Sequence, residues 1–402
     1  MKWETVKLED VCTLVTSGGT PLTSISSYYE PKEIPWLKTG EVNYCRIHET
    51  ENYISIEGLE HSSAKLIPEN SVIIAMYGQG DTAGRVAINK IPLATNQACC
   101  NLIIDQNVAD YEFIYYALCT LYDYLVAQKS GGAQPNLNAK KIKELKIPFP
   151  PLRIQHRIAN ILSAYDDLIE NNQKQIKLLE EAAQRLYKEW FIDLRFPGYE
   201  NTPVHDGVPE GWEKTTTENA AAVLRRGISP SYDENGDSTV ISQKCIRQTI
   251  VDLGEARKQT KKYPDELNLQ DGDTVICSTG DGTLGRVGQV FGELKNTTLD
   301  SHVTLVRATS DIGAQLLFWT VKSQQAFLQG MGKGSTNQLE LNRSVIQELP
   351  FILPDPKTRM AFEALAQAIH DKIAAQNKQI IALQTSRDRL LPKLMNGEIE
   401  TN

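Results

Sequence analysis

The chain has 402 residues, 41% of them apolar, and a formal net charge of −8 at pH 7. That length sets a prior of about two to three domains, and the apolar share builds real cores, which excludes global disorder. No apolar run approaches the roughly 18–20 residues that span a bilayer, and the start, MKWETVKLED, lacks the apolar centre of a secretion signal, so a cytoplasmic protein is expected.

The first segment, 1–150, alternates short β-rich runs such as Ser71-Val-Ile-Ile-Ala-Met-Tyr77 with turn residues at Ser17-Gly-Gly-Thr-Pro21 and Ser130-Gly-Gly132. Tyr111–Ala127 reads as one helix. Ile147-Pro-Phe-Pro-Pro151 then forbids helix, because proline lacks an amide N–H and biases its predecessor toward extended backbone. From 154 to 191 apolar residues recur in alternating steps of four and three: Leu162, Tyr165, Ile169, Ile176, Leu179, Ala183, Leu186 and Trp190. This is the seam of a coiled-coil helix, about 57 Å long at 1.5 Å per residue. The helix ends near Arg195-Phe-Pro-Gly198, and a polar linker leads to Pro209-Glu-Gly211.

Trp212-Glu213 echoes Trp3-Glu4 and opens a second β-rich segment. It contains the strand-like run Asp273-Thr-Val-Ile-Cys277 and a helix at 313–329, and closes with Leu349-Pro-Phe-Ile-Leu-Pro-Asp-Pro356. The last segment sets Ile369, Ile373, Ile380, Leu383, Leu390 and Leu394 on the same seam, until Pro392 is expected to stop regular helix. At a constant offset of 204, Asp167, Ile169, Lys174, Gln175, Ile176 and Leu179 recur as Asp371, Ile373, Lys378, Gln379, Ile380 and Leu383. The segments upstream of the two helices barely match. A chain that keeps its helices and varies its heads is built to hold two different readers, and such repeats decide architecture before local detail does.

Both seams carry an amide, Asn172 and Gln376, at the same position. A polar seam residue lowers stability but fixes register. If the helices pair antiparallel about a pseudo-twofold axis, these amides meet near the midpoints and hydrogen-bond. A partly exposed seam that tolerates amides is the alternative. The expected pairing set is Ile169, Asn172, Ile176, Leu179, Ile373, Gln376, Ile380 and Leu383.

Several catalytic and cofactor motifs fail. Gly280-Asp-Gly-Thr-Leu-Gly285 matches GxGxxG, but it runs into the strand-like Arg286-Val-Gly-Gln-Val-Phe291 instead of opening a helix, so a strand–loop–strand element is expected. Gly332-Lys-Gly-Ser335 lacks the glycine a P-loop needs at 327, where Phe327 stands. No Asn-Pro-Pro-Tyr, GxSxG or HExxH stretch occurs. The seven cysteines have no zinc-ligand spacing and read as free thiols. His156 and His370, on the long helices, read as solvated or at the seam edge.

Three pairs of polar loops remain, at matching places in the two copies. One holds Tyr77, Gln79 and Arg85 in the first copy and Thr279, Thr283 and Arg286 in the second. Another holds Gln134 and Asn136, against Lys333, Ser335, Thr336 and Gln338. A third surrounds Lys38 and Asn43, against Gln243 and Lys244. Arg225 and Arg226 add a basic pair. Arg, Lys, Asn and Gln match base edges in the major groove, while Ser, Thr and backbone amides suit phosphates. No segment is a basic block, so DNA binding would rest on local cations or on a partner's share of the groove.

In this order and spacing the chain resembles the specificity subunit of a type I restriction–modification system. Pro209-Glu-Gly-Trp-Glu213, Lys188-Glu-Trp-Phe-Ile-Asp193, Leu390-Leu-Pro-Lys-Leu-Met-Asn-Gly-Glu-Ile399 and Pro148-Phe-Pro-Pro-Leu152 are similar to that family's phrases. The resemblance implies an α+β fold: two mixed, β-rich target-recognition domains separated by two long antiparallel coiled-coil helices, pseudo-twofold symmetric. The implied boundaries are recognition domain 1 at 1–150, helix 1 at 151–195, linker at 196–210, recognition domain 2 at 211–350, and helix 2 with the tail at 351–402. The resemblance also implies no catalytic residue, no metal and no cofactor in this chain, and a place in phage defence. Its partners would be double-stranded DNA, two methyltransferase subunits carrying S-adenosylmethionine, and two restriction–translocase subunits using ATP and Mg. It implies that residues 392–400 pack near residues 1–10. A coiled-coil adaptor presenting two protein- or ligand-binding modules, or a stand-alone DNA methyltransferase or nuclease, are the competing readings.

Overall fold

The computed structural model describes residues 3–128, 136–331 and 340–399. The chain divides into two compact units: Met1–Glu170 with Ile381–Asn402, and Asn171–Ile380. Gln134, Lys333, Ser335, Thr336 and Gln338 lie outside the described residues.

In unit 1 the main sheet comprises β1 (Cys12–Ser17), β2 (Cys45–Ile47), β3 (Val72–Ala75), β4 (Val86–Asn89) and β5 (Cys99–Ile104), in the order β1-β5-β3-β4-β2. All neighbours are antiparallel except β4 and β2, which run parallel. Every residue of β3 is buried, as a central Val-Ile-Ile-Ala strand covered on both faces requires. Helices α1 (Tyr111–Cys119) and α2 (Tyr122–Ala127) follow. Asp110 caps α1, its side chain accepting from the Phe113 N–H at 2.9 Å. The single helix expected over 111–127 is broken at Thr120-Leu121. The Thr120 hydroxyl bonds back to the Ala117 carbonyl at 2.7 Å, and the Leu121 N–H turns to Leu118 at 3.0 Å, a tighter i−3 bond that ends the α ladder. α3 (Leu152–Tyr187) then begins, and a π-helical turn over Lys188–Ile192 closes it.

Unit 2 repeats this plan. β6 (Ala221–Arg226), β7 (Thr274–Cys277), β8 (Val287–Gln289) and β9 (Val303–Ala308) take the antiparallel order β6-β9-β7-β8, and a parallel bridge between Ile250 and Gln289 stands where β2 flanks β4. α4 (Ala314–Ser323) and α5 (Gln325–Gly330) again break a helix expected as continuous, here at Gln324. A smaller sheet in each unit carries a parallel pair, Ile34–Leu37 with Leu93–Thr95 and Ser238–Ile241 with Thr297–Leu299. The offset of 204 read from the helices holds for β5 and β9 and for the smaller-sheet pairs, and shifts by a few residues elsewhere, so the repeat extends into heads whose sequences barely match. A short antiparallel pairing brings each head's start back to its end: Thr5–Lys7 on Lys146–Pro148, and Glu213–Thr216 on Pro350–Leu353. The 196–210 linker contains a small hairpin, Val204–His205 with Val208–Pro209.

The last helix, α6 (Pro356–Met395), opens with Pro at its first position, and the Asp355 carboxylate accepts from the Lys357 and Thr358 N–H groups at 2.9 and 3.1 Å. Pro392 does not stop it. The ring removes one ladder bond, but Leu394 and Met395 are buried in the unit 1 core with Leu8, Val11, Ile158 and Leu162, and they hold the final turn. The chain's end thus packs with its beginning, as the resemblance implied.

Within each unit the long helices run antiparallel. In unit 1 Asp166 meets Arg387 at 2.5 Å, while residues 158–162 share a core with Leu394 and Met395. In unit 2 Gln376 donates to the Gln175 side chain, and Phe362 packs on Tyr187, Trp190 and Phe191. Ile169, Asn172, Ile176, Ile373, Gln376 and Ile380 are buried; Leu179 and Leu383 are half-buried. The partner of Gln376 is thus Gln175, one turn beyond Asn172, and not Asn172 itself. His370, expected to be solvated or at the seam edge, is buried: it hydrogen-bonds Gln289 at 3.2 Å and Asp271 at 2.8 Å, and stacks on Phe291. His156 is half exposed, with Asp110 at 2.8 Å.

Candidate nucleic-acid interface

In unit 2 the GxGxxG stretch is the loop of the β7–β8 hairpin. Gly280, Gly282 and Gly285 all have positive φ, and a Cβ on Gly285 would lie 2.5 Å from the Gln329 amide nitrogen. The glycines serve a tight turn and a close approach to α5, not a dinucleotide. The turn gathers three of the expected side chains. Gln243 Nε2 donates to the Thr279 carbonyl and hydroxyl oxygens at 2.5 Å each, and the Thr283 hydroxyl donates to the Thr279 carbonyl at 3.0 Å. His302 Nδ1 lies 2.8 Å from the Thr279 hydroxyl. Lys244 is exposed beside them.

In unit 1 the matching turn leaves Gln79 exposed and Tyr77 half-buried. Burial pushes the Tyr77 phenol above its usual range, so it stays a neutral donor. Arg85 donates to the Asn43 side-chain oxygen at 2.9 Å, joining two of the expected loops. Lys38 is exposed; its ammonium lies 2.9 Å from Asn52 Oδ1 and 5.2 Å from the Trp36 ring centroid. Asn136 is half-buried.

The basic pair is less free than its sequence suggests. Arg225 is paired with Glu266 and Arg226 with Glu340, and Arg226 also donates to the Leu341 carbonyl at 2.7 Å. Sequence reasoning passed over a second basic run in unit 2, Arg257, Lys258, Lys261 and Lys262. Its signal was the Arg-Lys-Gln-Thr-Lys-Lys stretch itself. Arg257 lies 3.6 Å from the Tyr232 ring centroid, a cation–π contact that fixes the guanidinium, while Lys258 and Lys262 are exposed. Cations of this kind suit phosphates, and Gln and Thr side chains carry donors and acceptors of the kind that match base edges.

Among the described residues no group of three or more His, Cys, Asp or Glu side chains is placed to hold a metal ion, and no helix is long and apolar enough to cross a membrane. The seven cysteines are free, and burial raises the Cys277 and Cys119 thiols to about 12, which leaves them as inert thiols at neutral pH.

These features define a two-headed α+β protein with polar loops at matching places in the two heads. The family model described as "Type I restriction modification DNA specificity domain" matches residues 1–181. The chain is 28% identical to the type I restriction enzyme MjaIX specificity subunit of Methanocaldococcus jannaschii, over 99% of this chain and 93% of that protein. It is 31% identical over 182 residues to the EcoR124I/EcoR124II specificity subunit of Escherichia coli, covering 44% of this chain and 45% of that one. The crystal structure of the type I restriction–modification S subunit from M. genitalium matches the fold over 100% of this chain and 97% of its own, with a TM-score of 0.60 at 17% identity. Along nearly its whole length the chain is similar to proteins named type I restriction enzyme specificity subunits.

Proposed function

We propose that this chain reads a bipartite, asymmetric DNA target, each β-rich head reading one half-site through the major groove. The observation that carries the reading is the repeated head. The two sheets share one strand order, with core strands kept near one offset, while the loops at matching places carry different side chains. A constant frame with changed loops is what two readers of different sequences need. The long helices serve as spacer and as docking platform for two methyltransferase subunits, which bring S-adenosylmethionine and flip the target base. Two restriction–translocase subunits using ATP and Mg complete the nuclease. The net charge of −8 fits a subunit whose partners supply much of the positive DNA channel.

The test is the methylome of cells with and without this chain, and with residues 1–150 exchanged for another recognition domain. The expected result is a two-part methylated motif that requires the chain, with one half altered by the exchange. A motif changed in both halves would overturn the reading of independent heads; no chain-dependent motif would overturn the function.

A further inference from the structure

Unit 2 holds a cavity of about 380 Å³ at the start of β8 and the turn between α4 and α5. Three cations line it, Arg247, Arg286 and Lys322, together with Gln248, Gln325 and Gln329; among the described residues no carboxylate does. Two acids outside the lining act on these cations. Glu255 lies 3.4 Å from Arg247, and Glu180 acts on Lys322 by its charge. Lys322 Nζ donates to the Val287 carbonyl at 2.8 Å and to Gln325 Oε1 at 3.0 Å, which leaves one of its three donors unused. Burial holds the Lys322 ammonium below its ordinary pKa, with Glu180 opposing the shift. The Arg286 guanidinium has no hydrogen-bond or ion-pair partner among the described residues.

The same place in unit 1 is closed. The parallel pairing of Arg46 with Ile88 matches the bridge of Ile250 to Gln289, which sets Asn43 and Tyr44 at the places of Arg247 and Gln248. Likewise Cys119 ends α1 near the end of α4 where Lys322 stands, and Tyr122 begins α2 as Gln325 begins α5. In unit 1 the Tyr44 and Tyr122 rings pack edge-on with centroids 6.1 Å apart, and Arg85 is held by Asn43. Unit 2 replaces both tyrosines by glutamines and adds two cations, so the plug becomes an open basic pocket. Grouped cations repel and lose hydration, so without a bound anion this replacement costs stability.

We propose that this pocket binds a phosphate group, with Arg247, Arg286 and Lys322 as charge partners and Gln248 and Gln329 as added donors. Three cations and amide donors converging on one space match an anion with several strong acceptor oxygens. The source is a backbone phosphate of the DNA strand beside the β7–β8 loop, or free phosphate. The first rests on the reading of the chain as a DNA-sequence reader.

The experiment uses the full chain co-purified with its methyltransferase subunits. Duplexes carrying the target are made with single phosphates replaced in turn by neutral methylphosphonate. One replacement on the unit 2 half-site is expected to weaken wild-type binding about tenfold. It should also make the log-affinity against log-salt line shallower by about 0.9. The Arg247→Gln/Arg286→Gln double variant should start weaker and be indifferent to that replacement. Gln248→Tyr, which restores one of the two plugging tyrosines of unit 1 and fills the pocket without changing charge, should behave likewise. In a second arm inorganic phosphate is titrated into the DNA-free complex and thermal unfolding is followed. Protection of wild type but not of either variant, with no sensitive position in the duplex, assigns free phosphate as the source. Indifference in both arms overturns the pocket. So does a variant defect confined to methyltransferase-subunit binding, which would assign the cations to a partner's carboxylates. A wild-type complex that binds its target but ignores every replacement and free phosphate refutes the pocket alone. One that prefers no sequence refutes the reader, and the phosphate titration still decides the pocket.

Discussion

Replacing Arg387 by methionine should destabilise unit 1 measurably. Asp166 is 8% exposed; its two carboxylate oxygens take Arg387 at 2.5 Å and the Tyr116 hydroxyl. Burial alone would lower the Arg387 pKa, but the hydrogen bonds and charges of Asp166 and, after it, Asp388 more than reverse this and hold the guanidinium above its ordinary range. Arg387→Met keeps the aliphatic packing and leaves a buried carboxylate with one neutral donor. Breaking a buried pair in this way costs about 3–5 kcal/mol, and the side-chain exposures of 21% and 11% let water recover part of it, which brings the expected loss to about 2–3 kcal/mol. Asp166→Asn keeps one acceptor oxygen for Arg387 and turns its amide NH2 to the Tyr116 hydroxyl oxygen, which must then accept, and it should cost about 1–2 kcal/mol. The double variant should lose less than the two losses summed, by about 1 kcal/mol or more, because its second substitution removes an already broken pair. The assay is native-state hydrogen exchange over the unit 1 strands at 72–104, since a global melt of a two-unit chain need not be two-state. A loss under about 0.5 kcal/mol in Arg387→Met, or strict additivity, would refute the argument.

Phe362 is fully buried against Phe191, at 4.9 Å between centroids, so Phe362→Ala should cost about 3–5 kcal/mol in urea unfolding followed by unit 2 tryptophan fluorescence. Gln376 buries an Oε1 that has no partner, so Gln376→Leu is expected to be neutral or up to about 1 kcal/mol stabilising; a clear loss of stability would mean that the bond to Gln175 outweighs that penalty. Burial alone would raise the Asp271 pKa, but hydrogen bonds from His370 and from the Gly292 and Gly272 N–H groups bring it below the ordinary value. A depressed carboxylate stabilises above its unfolded pKa of about 3.9, and the benefit is lost as pH falls through the lower folded value, so denaturant midpoints should drop between about pH 5 and 3 and drop less in Asp271→Asn. Equal pH slopes in the two proteins would sink that assignment.

Periodicity made the long helices legible because helix seams are local and repeat every seven residues. Their bounds, Leu152–Tyr187 and Pro356–Met395, lie within a few residues of the expected 154–191 and 358–395. The hairpin nature of 280–285 was legible too, since the motif runs into Arg286-Val-Gly-Gln-Val-Phe291, a strand-like stretch with a further glycine, instead of a helical pattern. The breaks at Thr120 and Gln324 were not, because one side-chain bond and one tightened turn leave apolar periodicity intact. The candidate reading residues were chosen by chemistry and loop position. Which of them remain free depends on partners distant in sequence: Arg226 is held by Glu340, Arg225 by Glu266, and Gln243 by Thr279.

The sequence by itself determined the two-headed repeat, the helix registers and the strand-rich character of both heads, since each follows from neighbours within a few turns or from an offset that can be counted. The tertiary structure alone decided where Pro392 is tolerated, that His370 is buried, that Gln376 meets Gln175, and that Arg247, Arg286 and Lys322 share one cavity. Those outcomes depend on burial and on side chains brought together from separate elements. A hydrogen bond or an uncompensated charge has its energy set by that environment, and no local pattern encodes it.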